Sequence, residues 1–119
     1  MLVLYDSLTG NVARFVRKLP ILAQPICEQM VVEQDFVLIT YTTGLGKVPE
    51  TTASFLAKNQ AHLKGIASSG NKNFGTYYAV SADVIARTYG VPIVSKFELS
   101  GTQTDVSLFI ERLMDIETH

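Results

Sequence analysis

The sequence predicts a three-layer α/β domain, a parallel sheet with helices on both faces. Two observations predict it. Short β-rich apolar runs alternate with stretches of helical periodicity along all 119 residues. The strongest run, Phe36-Val37-Leu38-Ile39-Thr40-Tyr41, is continuously apolar, as a strand covered on both faces must be. No repeat, linker or low-complexity tract breaks the alternation, so residues 1–119 read as a single domain.

Each element has its own warrant. Leu2-Val3-Leu4-Tyr5 reads as a short buried strand. Val12, Phe15, Val16 and Leu19 fall at i, i+3, i+4 and i+7, one face of a helix that Pro20 ends. Residues 21–32 are ambiguous. Pro25 argues against a central strand, so a short edge strand near Ile26 is expected. After the strand at 36–41, Pro49 opens a helix whose inner face is Val48, Thr52, Phe55 and Leu56. Gly65 to Ser69 is a strand of small residues. Tyr78, Ala82, Ile85 and Tyr89 mark a third helix, stopped by Gly90. A fifth strand lies within Val91 to Leu99. Thr102 with Asp105 three later resembles a capping box, and Val106, Phe109, Ile110 and Leu113 line the last helix.

Composition removes several classes. Hydrophobic residues make up 47% and charged residues 18%, which suits a packed core. Ten basic residues against eleven acidic ones leave no global footprint for nucleic acid or an anionic membrane. No apolar run approaches the ~20 residues of a membrane span. The first residues are strand-like, with no basic region or cleavage site, so no signal peptide is expected and the chain reads as cytoplasmic. Cys27 is the single cysteine, so no internal disulfide is possible, and it reads as a half-buried small residue. His62 and His119 have no ligand-spaced partners, and the carboxylates do not cluster, so no metal site is expected.

Function is carried by the loops. In a doubly wound sheet ligands bind beyond the carboxyl ends of the strands. The glycine-rich polar loops 7–11, 42–49, 69–75 and 100–102 all fall there. Ser7, Thr9 and Asn11 offer neutral donors at a strand-to-helix joint, and Gly10 lets the chain turn tightly. Such a joint can cradle a phosphate without a cationic side chain, although the same residues also make an ordinary N-cap. Thr42-Thr43-Gly44-Leu45-Gly46 can bring backbone against a flat ligand. Ser69-Gly70-Asn71-Lys72-Asn73-Phe74-Gly75 adds donors and one aromatic ring, Phe74, which can cover a ring face or simply sit exposed.

Competing chemistries lack their residues. There is no G-x-G-x-x-G after the first strand and no G-x-x-x-x-G-K-[ST] anywhere. A phospho-acceptor domain wants an acidic cluster after strand one and an aspartate after strand three. Here stand a lone Asp6 and Tyr41-Thr42. Cys27 lies outside any phosphate loop. A phosphate-bearing, largely planar cofactor held by neutral loops remains, and flavin mononucleotide (FMN) fits that description.

Four segments, Y-D-S-L-T-G-N at 5–11, T-Y-T-T-G-L-G-K-V-P at 40–49, S-G-N-K-N-F-G at 69–75 and K-F-E-L-S-G-T at 96–102, together resemble the NrdI family. These are small flavodoxin-like activators of the manganese class Ib ribonucleotide reductase. The resemblance spans essentially the whole chain. It implies a flavodoxin-like three-layer sandwich with a five-stranded parallel sheet of order 2-1-3-4-5. It implies non-covalent FMN and, as partner, the radical-bearing dimanganese small subunit of the reductase. Reduced flavin in that family reacts with dioxygen to give a superoxide-type oxidant, and an unidentified reductant must supply the electrons. By the same resemblance Ser7, Leu8, Thr9, Gly10, Asn11 and Val12 match the phosphate loop. Tyr41, Thr42, Thr43 and Gly44 match the ring-side loop. Ser69, Gly70, Asn71, Lys72, Phe74 and Gly75 match the third loop, and Leu99, Ser100, Gly101 and Thr102 the last. Position 74, often tryptophan in that family, is phenylalanine here.

Two other readings compete: an ordinary flavodoxin-type electron carrier, and a flavin-free module that binds a phosphorylated partner. Charge bears on the first. Residues 40–49 and 68–76 hold Lys47 and Lys72 and no acid, and Lys96 precedes the fourth loop. Positive charge near a flavin favours its anionic reduced form, by ~1 to a few kcal/mol in a partly wet site.

Overall fold

The computed structural model describes residues 1–118. His119, read above as lacking a ligand-spaced partner, lies outside them. The strands are β1 (Leu2–Tyr5), β2 (Gln24–Pro25), β3 (Phe36–Tyr41), β4 (Leu63–Gly70) and β5 (Ile93–Glu98). They form one parallel sheet in the order β2-β1-β3-β4-β5. The helices are α1 (Asn11–Arg17), α2 (Glu50–Asn59), α3 (Ser81–Tyr89) and α4 (Gln103–Thr118). Among the described residues no helix is long and apolar enough to cross a membrane.

Alternation along the strands sorts the core into two layers. Val3, Val37, Ile39, Val94 and Phe97 point to the face covered by α1 and α4, where Phe15, Val106, Phe109 and Leu113 meet them. Leu4, Phe36, Leu38 and Ile66 point the other way, against Phe55 and Leu56 of α2 and Ala82 and Ile85 of α3. β3 is central and paired on both edges, so Phe36 to Thr40 are all buried. This is the physical reason for its unbroken apolar run.

Edge strand β2 is only two residues long and pairs with β1 alone. Pro25 donates nothing to that ladder, and Ile26 N–H takes over by donating to the Tyr5 carbonyl at 2.9 Å. Pro49 stands as the cap of α2, its carbonyl accepting from Ala53 N–H at 2.9 Å. The capping box closes as expected. Thr102 N–H donates to Asp105 Oδ2 (2.8 Å), and Asp105 N–H donates to Thr102 Oγ1 (3.2 Å).

Three boundaries differ from expectation. β4 runs from Leu63 to Gly70, longer than Gly65–Ser69, because a register shift beside Phe36 brings Leu63 into the ladder. α1 ends at Arg17, and two tight turns then carry Leu19 into the core before Pro20. α3 begins at Ser81, not near Tyr78. Ala79 sits at φ +48°, a left-handed conformation no helix continues through, and residues 72–77 form 3-10 turns broken at Gly75.

A candidate cofactor site at the carboxyl edge of the sheet

β1 and β3 are neighbours, but the chain leaves β1 toward β2 on one side and enters β3 on the other. This is the switch point of the sheet, where connections diverge and leave a crevice. A cavity of ≈ 380 Å³ opens there. Its lining comes from all four polar loops: Ser7, Leu8, Thr9, Asn11 and Val12; Tyr41, Thr42, Thr43 and Gly44; Ser69, Gly70, Asn71 and Phe74; and Leu99. Of the positions matched to the four loops, Gly10, Lys72, Gly75, Ser100, Gly101 and Thr102 stand off the cavity wall. Tyr77, which the sequence reading passed over, joins it.

The first loop is held from within and from the opposite side. Ala13 N–H donates to Ser7 Oγ at 3.2 Å. Gly10 caps α1 at φ +93°, and a Cβ there would lie 2.7 Å from Arg14 Nη1. Arg14 itself answers a puzzle posed by the sequence, a phosphate-type loop with no cation in it. One helical turn on, its guanidinium folds back over the loop. Nη2 donates to Asn11 Oδ1 at 2.7 Å, and Nε donates to Ser100 Oγ at 2.9 Å. Ser100 in turn donates to Asn11 Oδ1 at 2.9 Å, so the first and fourth loops share one polar cluster. The i, i+3 spacing of Asn11 and Arg14 was the available signal. Lys18 adds donation to the carbonyls of Ser100 (3.0 Å) and Gly101 (2.8 Å).

The second loop is a closed hairpin. Thr43 and Lys47 exchange backbone hydrogen bonds of 2.9 and 2.8 Å, with Gly44 at φ +49° and Gly46 at φ +86° between them. In the third loop Asn71 Oδ1 accepts from Asn73 N–H at 2.9 Å. Phe74 is 51% exposed and lines the cavity, so it belongs to neither core layer. Leu99 takes φ +53°, costly for a leucine, and is held there from both sides. Its N–H donates to the Gly70 carbonyl (2.9 Å) and its own carbonyl accepts from Ser69 Oγ (2.6 Å).

The charges differ in part from the sequence reading. Lys96 is ion-paired with Asp83 of α3, so its charge is compensated. Glu98 of β5 reaches the third loop, accepting from Lys72 N–H at 3.0 Å. The loop carries no acid of its own, yet β5 brings one alongside it. Lys72 Nζ stands 5.7 Å from the Tyr78 ring centroid.

Beneath the first loop, Asp6 is buried at the end of β1 and accepts from Thr52 Oγ1 at 2.7 Å. Burial raises its carboxyl above the usual carboxylate range, and the Thr52 hydrogen bond opposes the shift. The folded state therefore holds this proton more tightly than the unfolded chain does. Its contribution to stability is full below the unfolded value and is lost as pH rises through the folded one. Asp6→Asn is expected to flatten that loss, raising stability above about pH 4 relative to the parent. Urea unfolding across a pH series checks it. Burial and the Asp6 charge also raise the Tyr41 phenol, which stays neutral at physiological pH.

The chemistry of this wall fits a phosphate-bearing flat cofactor. Neutral hydroxyl and amide groups line it, with the Arg14 guanidinium held beside the first loop, and Tyr41, Phe74, Tyr77 and Leu99 add apolar and aromatic surface. Sheet order and site together define a flavodoxin-like protein. A short-chain flavodoxin associated with a PDU bacterial microcompartment superimposes with a TM-score of 0.72 over 99% of this chain and 98% of its own, at 20% identity. The family described as NrdI flavodoxin-like matches residues 3–111. Protein NrdI of Bacillus licheniformis is 48% identical over 117 residues, 98% of this chain and 89% of the relative. The SPbeta prophage-derived protein NrdI of Bacillus subtilis is 41% identical over 119 residues, 97% of this chain and 92% of the relative. The chain belongs to the NrdI flavodoxin-like family. Fold and family imply a flavin cofactor.

Proposed function

We propose that this protein binds FMN in the cavity described and serves as the activator of a class Ib ribonucleotide reductase, acting on its dimanganese small subunit. One observation carries the reading. Four loops from separate parts of an NrdI-family chain converge on a single cavity whose wall combines hydroxyl and amide groups with aromatic side chains. Ser7, Thr9, Gly10 and Asn11, with Arg14 above them, would hold the phosphate. Tyr41, Thr42, Thr43, Gly44, Ser69, Gly70, Asn71, Phe74 and Leu99 would hold the ring, and Gly75 shapes the third loop behind Phe74. Bound there and reduced by an external donor, the flavin would supply one electron to dioxygen, giving a superoxide-type oxidant for tyrosyl radical assembly in the partner.

The chain's own residues do the rest. Leu8, Leu45, Phe74, Tyr77 and Leu99 are exposed apolar side chains, and all but Leu45 stand on the cavity wall. Such a rim suits a docking partner that covers the cavity and excludes water. The test is radical yield. Reduced protein, dioxygen and the manganese-loaded small subunit are expected to give the tyrosyl radical signal, and omission of this protein is expected to abolish it. Equal radical yield without it defeats the reading and leaves an electron carrier.

Two residue-level results are expected. Arg14→Gln should weaken FMN binding about tenfold and reduce its salt dependence, since one charge-assisted partner near the phosphate is lost. Fluorescence titration at two salt concentrations checks this. Lys47→Glu with Lys72→Glu should make the second one-electron reduction more difficult, because Lys96 is already compensated and these two lysines remain. Spectroelectrochemistry of the FMN-loaded double variant reads it, and unchanged potentials would remove the lysines from the mechanism.

A further inference from the structure

We propose that Ser81 is a positioning residue for the ring-side loop: it fixes the Tyr41 carbonyl and the Thr42 hydroxyl, and so confines rearrangement of that loop to residues 43–47. The consequence for flavin chemistry rests on the FMN reading above, whereas the pin itself does not.

Ser81 is fully buried at the start of α3, 39 residues from the loop it touches. Its hydroxyl has one proton and two lone pairs, and the proton and at least one lone pair are used. Oγ–H donates to the Tyr41 carbonyl at 3.0 Å. Thr42 Oγ1 donates to it at 2.9 Å, and Ser68 Oγ lies 2.6 Å away. The Ser81 backbone N–H closes the cluster by donating to Thr42 Oγ1 at 3.2 Å. The carboxyl ends of β3 and β4 are thus tied to one hydroxyl of α3.

The anchor is rigid. Ala79, two residues earlier, is fully buried and packs its backbone against Gly70, where a Cβ would come within 2.4 Å of Ala79 N. Beyond Thr42 the character changes. Residues 43–47 bond to one another through the Thr43–Lys47 pair. The space beside Gly44 is empty to 4 Å, and Leu45 is 67% exposed. Gly46 rests on Tyr77 and Val80 through van der Waals contact, a Cβ there falling 2.6 Å from Val80 Cγ1. A hydrogen-bonded polar base and a self-contained glycine hairpin place the hinge between Thr42 and Thr43. Loss of the Ser81 hydroxyl would remove one partner each from the Tyr41 carbonyl, the Thr42 hydroxyl and the Ser68 hydroxyl, and the base would loosen.

Ser81→Ala tests this with two readouts. Hydrogen exchange in the flavin-free protein is expected to quicken at least tenfold over residues 41–47, with β1 and α4 unchanged. In the FMN-loaded protein the interval between the two one-electron potentials is expected to change, an effect that a merely structural hydroxyl would not produce. If thermal stability falls while either readout stays as in the parent, the proposal is overturned. Should Ser81→Ala fail to fold, Thr42→Val cuts the same link from the loop side and is judged by the exchange criterion alone, since Thr42 itself lines the cavity. A parent protein that takes up no FMN defeats the functional reading alone. The exchange measurement then decides the pin by itself.

Discussion

Gly70→Ala is expected to cost ~3 kcal/mol or more of stability and to abolish retention of FMN. The cause is a backbone collision that no rotamer relieves. A Cβ at position 70 would stand 2.4 Å from Ala79 N, 2.9 Å from Ala79 Cα and 3.1 Å from Ala79 Cβ. Ala79 cannot retreat cheaply. It is fully buried at φ +48°, and its carbonyl accepts from Ala82 N–H at 3.2 Å as α3 begins. The forced movement would separate β4 from α3 at the place where Ser69 and Gly70 line the cavity. Gly44→Ala is the informative control. Nothing lies within 4 Å of its added carbon, so only the φ of +49° is penalised, by about 1 kcal/mol. Denaturant midpoints and flavin absorbance of the two variants, compared side by side, check the difference.

Phe15→Ala is expected to cost ~3–5 kcal/mol, the usual range for deleting a buried phenyl ring. Phe15 is wholly buried, stacked on Phe97 with ring centroids 3.9 Å apart and edge-on to Phe109 at 5.8 Å. Helix α1 has only seven residues, too few to persist without packing, and Phe15 is its central anchor. The first loop and Arg14 ride on that helix. FMN affinity should therefore fall along with stability, although Phe15 does not line the cavity. Gly101 depends on the same ring, since a Cβ there would lie 2.7 Å from Phe15 Cδ1. Chemical unfolding and FMN titration of Phe15→Ala, with Phe15→Leu as the milder change, read the two effects together.

Much of the fold was legible because period and burial agree. The apolar run at 36–41 could only be a strand covered on both faces, and the i, i+3, i+4, i+7 set of α1 had one possible face. Boundaries were less legible where tertiary geometry overrides local preference. Nothing in the sequence Tyr77-Tyr78-Ala79 announces a left-handed Ala79, because that conformation is imposed by packing against Gly70. The site divides in the same way. Loop residues at strand ends could be read from glycine and hydroxyl content and from the family resemblance. Arg14 left only its i, i+3 spacing to Asn11 as a signal, and Tyr77 and Ser81 left none, since they reach the site through contacts between distant segments. The sum of charges misled for the same reason: Glu98 lies outside the third loop in sequence but beside it in space, and Asp83 of α3 pairs with Lys96.

The most direct measurement is the visible absorption spectrum of the purified protein after incubation with FMN and desalting. Two retained flavin bands, in the blue and near-ultraviolet, with about one FMN per chain, are the expected result. Their loss in Gly70→Ala and weakening in Arg14→Gln would tie the cofactor to this cavity. A protein that stays colourless after the same treatment would contradict the cofactor assignment, and with it the proposed role in reductase activation.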